Sequence, residues 1–295
     1  MNILISGASG LIGSALSEYL NNNGHNVYQL KRSDSQAPFT WQPDKGLIIL
    51  PPNVLIDVVV NLNGVNIGDK PWTAKRKQEI IESRINATQL ISKTISRLDP
   101  SPKVLINASA VGYYGETGNT TVDEASSSGN NFLTEIVSQW ESAAEPAIKK
   151  GIRTVFIRSG VVLSTDGGAL KKMLIPFKFG LGGRVGSGNQ YMSWISLEDE
   201  IRAIDFIMNN NQINGPINLT SPTPVTNTEF TQTLSTVLKR PCIFPLPKSV
   251  LKLLFGEMGE LLLLGSVKAV PTALISHGFE FKHPELIQAF KTIIR

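Results

Sequence analysis

The first twenty residues constrain this chain more than any other stretch. They read MNILISGASGLIGSALSEYL, in which a short apolar run precedes Gly7, Gly10 and Gly13, and apolar residues at helical spacing follow. Glycine adopts backbone conformations that other residues avoid, so this spacing predicts a sharp turn between a first strand and a first helix. We expect Gly7 to form the turn and Gly13 to let the helix pack close to the strand.

Apolar runs alternate with helical patterns through the first half of the chain. The runs include NVYQLK, VLIDVVVNLNG, KVLINASAV and RTVFIRSGVVL. Strands buried on both faces of a sheet read as continuous apolar runs, and their alternation with helices indicates parallel pairing. With 295 residues, 41% of them hydrophobic, the chain has enough apolar material for a large core. We predict an α/β fold, a Rossmann-type doubly wound parallel sheet.

In such sheets a ligand lies beyond the carboxyl ends of the strands. Gly10 leaves room there for a pyrophosphate, which the free amides of the first helix would bind. The alternative is a tight structural turn that holds no ligand. The position at the first strand–helix junction favours a dinucleotide.

The sequence changes character after Leu163. Residues 166–195 are rich in glycine without a clear period, and residues 222–295 are helical patterns interrupted by proline and glycine. We expect a dinucleotide-binding domain over residues 1–165, to which 196–221 return. We expect 166–195 and 222–295 to form a smaller, mainly helical substrate lobe.

Two segments of this lobe carry specific expectations. One of Thr226, Asn227 or Thr228 caps a helix that has Glu229 in its first turn. The apolar segment SVLKLLFGEMGELLLLGSVKAV, residues 249–270, contains charged residues and three glycines. We therefore expect a buried pair of core helices there and not a membrane span.

Charge and composition exclude several classes of protein. The net charge is +4 and the basic residues are scattered along the chain, which argues against nucleic-acid and membrane partners but allows a small anionic ligand. Cys242 is the one cysteine, so no internal disulfide forms, and three histidines without ligand spacing predict no metal site. The N-terminus lacks the pattern of a signal peptide, and we expect a cytoplasmic protein.

Four motifs together resemble one family. ISGASGLIGSAL, VVVNLNG, NASAVGYYG and GSGNQYMSWISLEDEIRA resemble, in order, segments of the extended short-chain dehydrogenases/reductases, the NAD(P)-dependent epimerase/dehydratase family. SAVGYYG, RSGVVL and FGLGGRVGSGNQYMSWI are similar to a poorly characterised epimerase subgroup with a C-terminal domain of unknown function, some of whose members are labelled cell-division inhibitors. The resemblance covers nearly the whole chain and implies an NAD(P) cofactor on a Rossmann fold.

The resemblance also implies which residues contact the cofactor. They lie in the glycine loop, after the fourth strand, in the next helix and after the sixth strand, and they are Gly7, Ser9, Gly10, Leu11, Ile12, Gly13, Leu62, Asn63, Gly64, Glu79, Arg84, Ser109 and Val162.

The end of the second strand distinguishes the two nicotinamide cofactors. A carboxylate there binds the ribose hydroxyls of NAD, and a cation accommodates the 2′-phosphate of NADP. Here the strand ends in Lys31 and Arg32, and Asp34 follows in a loop. An arginine fits a phosphate with two hydrogen bonds, so we predict NADP(H). The alternative is a solvated strand end.

The family's catalytic tyrosine and lysine are missing. Ser109 in NASAV matches the serine that holds the substrate oxygen, but Phe132, Leu133, Ile136 and Val137 stand near the positions of the tyrosine and lysine. Without the lysine, a phenol is a poor base at neutral pH. Tyr113 and Tyr114 in VGYYG are the candidates for a catalytic hydroxyl.

The substrate is predicted to lie against Gln190, Tyr191, Ser193 and Trp194. We expect an NADP(H)-dependent oxidoreductase or epimerase-like enzyme that acts on a sugar-nucleotide-like or other small carbonyl or hydroxyl substrate, as a monomer or homodimer. The alternative is a non-catalytic NADPH-binding sensor or regulatory protein, which the missing pair favours.

Overall fold

The fold is an eight-stranded, mostly parallel sheet covered by helices. The computed structural model describes residues 1–33 and 38–294, so Asp34 lies outside the described residues. The strands are β1 (Asn2–Ser6), β2 (Asn26–Arg32), β3 (Thr40–Gln42), β4 (Leu47–Ile49), β5 (Val58–Asn61), β6 (Val104–Ala110), β7 (Thr121–Val122), β8 (Arg153–Ser159), β9 (Val161–Leu163), β10 (Tyr191–Met192), β11 (Trp194–Ser196), β12 (Gly215–Leu219), β13 (Val225–Thr226) and β14 (Lys268–Ala269).

Helices cover both faces of the sheet. Buried side chains form one core between the sheet and helices α1 and α6, and another on the face of α2 and α4. The runs of valine, isoleucine and leucine in the central strands β5 and β6 are buried on both faces of the sheet, which confirms the predicted doubly wound α/β fold. The helices are α1 (Leu11–Asn22), α2 (Ala74–Ile95), α3 (Phe132–Ser142), α4 (Glu145–Lys149), α5 (Gly168–Lys178), α6 (Leu197–Asn209), α7 (Asn227–Leu238), α8 (Lys248–Leu263), α9 (Thr272–Ser276) and α10 (Leu286–Ile293).

The strand order creates one switch point. The sheet runs β12-β8-β6-β5-β1-β2-β3-β4, with β4 alone antiparallel to its neighbour. The connections after β1 and β5 therefore leave in opposite directions from adjacent strands. A crevice at such a point, beyond the carboxyl ends of the strands, is where ligands bind in open α/β sheets.

A row of buried polar side chains crosses the sheet at this edge. Ser6, Asn61 and Asn107 are register partners on β1, β5 and β6. The hydroxyl of Ser6 donates to Asn61 Oδ1 at 2.7 Å, and Asn61 Nδ2 donates to Asn107 Oδ1 at 2.7 Å and to Thr88 Oγ1 at 2.9 Å. The side-chain bonds join three strands to α2.

A third core lies between α5, α7 and α10. Of the three cap candidates in the sequence, Thr226 caps α7, and its hydroxyl and the Glu229 carboxylate form a reciprocal capping box. The division of the chain into a domain and a lobe at residue 165 stays a prediction.

Helix α8 differs from expectation. Gly256 has φ 54° and breaks it into two halves, and in the first half only Leu251 is buried. The predicted pair of core helices is therefore wrong for residues 249–255, because the lobe packs against one side chain there and leaves the others in solvent. Within residues 1–33 and 38–294, no helix has the length and apolar content needed to cross a membrane.

Candidate functional site

The glycine loop between β1 and α1 is packed as the sequence predicts. Gly7 has φ 75°, and a methyl group there would lie 2.7 Å from the carbonyl oxygen of Leu62. A methyl group on Gly13 would overlap the carbonyl oxygen of Gly7. Both positions therefore require glycine for the loop to close.

The start of α1 is open. Gly10 occupies the N-cap position without a side chain that could bond the first amides of the helix, and Ser9 and Gly10 are exposed. The amides of Leu11 and Ile12 belong to this uncapped first turn. Uncapped helix amides and the helix dipole attract an anion, so the loop forms a cradle that fits a pyrophosphate.

Several predicted cofactor residues meet beside this cradle. Ile12, Leu62 and Val162 pack against the same core although they follow three different strands. Residues 167 and 168, at the start of α5, lie over the side chain of Leu11. Elements distant in sequence thus enclose the mouth of the crevice.

Arg84 faces the loop of Leu62, Asn63 and Gly64. A methyl group on Gly64 would lie 3.1 Å from the guanidinium carbon of Arg84. The guanidinium stacks 5.1 Å from the ring centroid of Trp140 and forms no ion pair with a described residue. Burial and, to a smaller extent, the charge of nearby Arg76 together lower the pKa of Arg84 to about 10. A half-buried cation without a carboxylate fits an anionic or polar ligand group.

Glu79 does not pair with Arg84. Its carboxylate lies 3.1 Å from Arg76 Nη1, one helical turn away. Glu79 and Arg84 are five residues apart, which is not the i,i+4 spacing of a pair on one helix face.

Lys31 and Arg32 are exposed at the carboxyl end of β2. The guanidinium of Arg32 lies 5.9 Å from the ring centroid of Trp41, and neither residue forms an ion pair with a described residue. Two cations therefore stand at the predicted position of the 2′-phosphate, on the same sheet edge as the glycine cradle.

Ser109 is joined to a charged network that the sequence did not reveal. Its hydroxyl donates to Glu141 Oε1 at 2.6 Å. Arg158 donates to the same carboxylate through Nε at 2.8 Å and Nη2 at 2.9 Å. Ser109, Arg158 and Asn218 are register partners on β6, β8 and β12, so the sheet itself brings them together.

Arg158 also organises the two tyrosines. Its guanidinium lies 3.4 Å from the ring centroid of Tyr113 and donates to the hydroxyl of Tyr114 at 3.2 Å. The Tyr114 hydroxyl in turn donates to Asn218 Oδ1 at 2.7 Å. Burial raises the pKa of Tyr114 to about 12, although Arg158 opposes the rise. Tyr114 is buried, whereas Tyr113 is half-buried.

The positions of the missing tyrosine and lysine serve packing. A methyl group on Gly112 would lie 3.2 Å from Leu133 Cβ and 3.9 Å from a methyl of Val137. Both side chains of α3 therefore face the 3-10 turn Val111–Tyr114 that carries the tyrosines. Leu133 and Val137 thus make apolar contacts with this turn.

Most of the predicted substrate residues are committed to main-chain bonds. Gln190, Ser193 and Trp194 are buried, and each donates a side-chain hydrogen bond to a backbone carbonyl of a distant segment, which is Leu263, Val267 or Thr223 in turn. Tyr191 is half-buried, with the ammonium group of Lys268 4.5 Å from its ring centroid. Of the four, Tyr191 has a side chain accessible to a ligand.

Comparison with known proteins agrees with this geometry. Residues 3–219 match the NAD dependent epimerase/dehydratase family, and residues 246–293 match a domain of unknown function, DUF1731. Epimerase family protein MT2273 of Mycobacterium tuberculosis is 44% identical over 291 residues, which are 97% of this chain and 95% of that protein.

Two crystal structures extend the comparison. Human epimerase family protein SDR39U1 (isoform 2), crystallised with NADPH, has a TM-score of 0.91 and 34% identity over 99% of both chains. The nucleoside-diphosphate sugar epimerase of Corynebacterium glutamicum has a TM-score of 0.81 and 30% identity, and the match covers 100% of this chain and 58% of that one.

Proposed function

Because this chain belongs to the NAD-dependent epimerase/dehydratase family, we propose that it binds NADP(H) and transfers a hydride to or from a small carbonyl or hydroxyl substrate. One observation carries the proposal. The uncapped start of α1 and the exposed Lys31 and Arg32 share the sheet edge at the switch point between β1 and β5. The NADPH-bound human relative supports the choice of cofactor.

In this proposal the glycine loop binds the pyrophosphate through the amides of the first helical turn, those of residues 11–13, with Ser9 and Gly10 beside it. Lys31 and Arg32 bind the 2′-phosphate, where a guanidinium forms two charge-assisted hydrogen bonds. Residues 62–64 contact the cofactor through their backbone, with Glu79 and Arg84 beside them, and Val162 lies at the nicotinamide end. The nicotinamide supplies or accepts the hydride when it is bound.

Ser109 holds the reacting oxygen in this proposal. Its proton is engaged by the Glu141 carboxylate, which Arg158 fixes from its other side. The serine oxygen therefore offers lone pairs to the crevice and accepts a hydrogen bond from a substrate hydroxyl. Tyr113, held against Arg158, is the candidate for a second hydroxyl contact, and Tyr114 positions Arg158.

The substrate class is a sugar nucleotide or a chemically similar small molecule. The 30% identical nucleoside-diphosphate sugar epimerase supports it. We propose that Tyr191 contacts this substrate and that Gln190, Ser193 and Trp194 shape its site by fixing the loop. Cytoplasmic location and a monomeric or homodimeric state stay predictions.

A regulatory NADPH-binding protein without turnover is the second candidate. The packing of Leu133 and Val137 on Gly112, where an acid–base pair would stand, favours it. NADPH oxidation by carbonyl sugars that disappears in Ser109→Ala would support the enzyme. Tight NADPH binding without hydride transfer to any of these acceptors would support the regulator.

The cofactor is tested by titrating the protein with NADPH and NADH and following reduced-nicotinamide fluorescence. We expect Arg32→Ala to weaken NADPH binding by about tenfold or more, the value of a charge-assisted hydrogen bond, with little effect on NADH. Arg97→Ala is the matched control, because Arg97 is an exposed arginine that follows the C-terminal end of α2. Absence of micromolar binding of either nucleotide would overturn the proposal.

A further inference from the structure

Exposed apolar side chains concentrate in two short stretches of the lobe. Nine of the fourteen large hydrophobic residues that are exposed in the described chain lie in residues 175–181 and 243–255. Leu253 is 85% exposed, Phe179 78% and Ile243 69%. Such values describe side chains that project into solvent and not the walls of a groove.

The two stretches lie side by side. Phe244 N donates to the carbonyl of Gly182, and Leu246 and Arg184 are joined by a backbone hydrogen bond of 2.9 Å. A methyl group on Gly180 would lie 3.4 Å from the ring of Pro241. We call the exposed apolar side chains of residues 175–181 and 243–255 the apolar patch.

The patch ends in a projecting half-helix. Residues 248–255 form the first half of α8, and Leu251 alone of them is buried. Val250, Leu253 and Leu254 are exposed on this half-helix, which ends at the break at Gly256. The half-helix falls in the region matched by the domain of unknown function.

Positive charge surrounds the apolar patch. Residues 168–184 and 239–256 contain eight lysines and arginines and no aspartate or glutamate, which leaves 20 basic against 24 acidic residues in the rest of the chain. Lys172 pairs with Asp69 and Lys248 with Glu260. The other six form no ion pair with a described residue. The two basic segments are in contact in the fold, since Arg240 Nε donates to the carbonyl of Lys178 at 3.1 Å.

We propose that the apolar patch binds the surface of an anionic lipid bilayer. Projecting leucine, isoleucine and phenylalanine side chains enter the boundary between headgroups and acyl chains, and flanking lysines and arginines bind the anionic headgroups. Side chains exposed to this degree do not form the walls of a groove that would hold a peptide. A symmetric contact with a second copy would oppose like charges, which disfavours it.

The test is co-sedimentation of the full chain with vesicles of phosphatidylcholine alone or mixed with phosphatidylglycerol. We expect binding to the mixed vesicles, weak binding to phosphatidylcholine, and release by high salt. The variant Lys252→Glu/Leu253→Ser should bind the mixed vesicles at least about tenfold more weakly. Both side chains are exposed, so the change leaves the core intact.

Ile148→Ser/Lys150→Glu is the matched control, because it removes one exposed apolar and one exposed basic residue near α4. It should bind like the unaltered protein. Equal loss in both variants, or no sedimentation with the mixed vesicles, overturns the proposal. So does concentration-dependent dimerisation, measured by light scattering, that Lys252→Glu/Leu253→Ser abolishes while lipid binding persists.

Discussion

Glu141 and Arg158 form a two-point ion pair between α3 and β8, with Nε–Oε1 and Nη2–Oε2 distances of 2.8 and 2.9 Å. Their side chains are 13% and 3% exposed. Burial acts to lower the pKa of Arg158, but the bonds and charge of Glu141 outweigh it and the pKa lies above its ordinary value. The guanidinium of Arg158 therefore stays charged although it is buried.

Glu141→Ala should destabilise the protein by about 3 to 5 kcal/mol, because it leaves a buried guanidinium without its counter-charge. Urea unfolding measures the change. Glu145→Ala is the control, since its pair with Lys149 is exposed and contributes less than about 1 kcal/mol. Similar losses of unfolding free energy in the two variants would contradict a larger contribution of the buried pair than of the exposed one.

Gly13→Ala and Gly10→Ala should separate folding from cofactor binding. The first places a methyl group against the Gly7 carbonyl and should cost about 1 to 3 kcal/mol of stability. A methyl group on Gly10 would lie 3.3 Å from that oxygen, a milder crowding than at Gly13, so the loss of stability should be smaller while NADPH affinity falls about tenfold. Thermal unfolding and fluorescence titration test the two effects. Unchanged NADPH affinity in Gly10→Ala would contradict the assignment of the cradle.

Glu200 should make stability depend on pH. It is fully buried, its Oε1 accepts from the Ser159 hydroxyl, and Oε2 has no hydrogen-bond partner in the described residues. Burial raises the pKa of Glu200 to about 8, whereas the unfolded chain releases this proton near about 4.3. The folded state binds more protons between these values, so stability contributed by the protonated acid is lost as pH rises through this range.

Glu200→Gln should remove the contribution of this group to the fall of unfolding free energy with pH, which is at most about 1.4 kcal/mol per pH unit. The measurement is the free energy of unfolding in urea between about pH 5 and about pH 8. Glu82→Gln, at an exposed position on α2, should keep the slope of the unaltered protein. A slope that survives in Glu200→Gln would assign the titration to another group.

The two adjacent tyrosines should respond differently to loss of the hydroxyl. Tyr114→Phe removes the hydroxyl that pairs with Asn218 Oδ1 and Arg158 Nη1 in the core and should cost about 1 to 3 kcal/mol. The Tyr113 hydroxyl has no hydrogen-bond partner among the described residues, so Tyr113→Phe should cost less than about 0.5 kcal/mol. Calorimetry of both variants tests this difference. A larger loss in Tyr113→Phe would reverse the roles that we propose.

The sheet and the glycine loop were predictable because their signals are local. Strands buried on both faces give continuous apolar runs, and a turn with positive φ at Gly7 requires glycine. Strands β3 and β4 were not predicted, since each has three residues and too little pattern to distinguish it from a loop.

The charged network was not predictable in the same way. Arg158 in VFIRSG reads as one polar residue of a strand, and Glu141 reads as a helix-surface residue. Their contact depends on which strands are neighbours and on which face of β8 Arg158 lies, and neither is local information. A charged residue inside an apolar strand was the available signal, because such a charge needs a partner. The exposure of Leu253 likewise depends on how the lobe packs.

The row formed by Ser6, Asn61 and Asn107 has a consequence for how the chain finds its strand alignment. NILIS, VVVN and VLIN are nearly uniform apolar runs, so sliding one strand past another would still bury hydrophobic side chains. Each run ends in one polar residue, and only the native alignment lets these three satisfy one another. A shifted pairing would leave these buried polar groups without hydrogen bonds, which costs free energy. The polar row thus favours the native strand alignment, which the apolar residues alone do not specify.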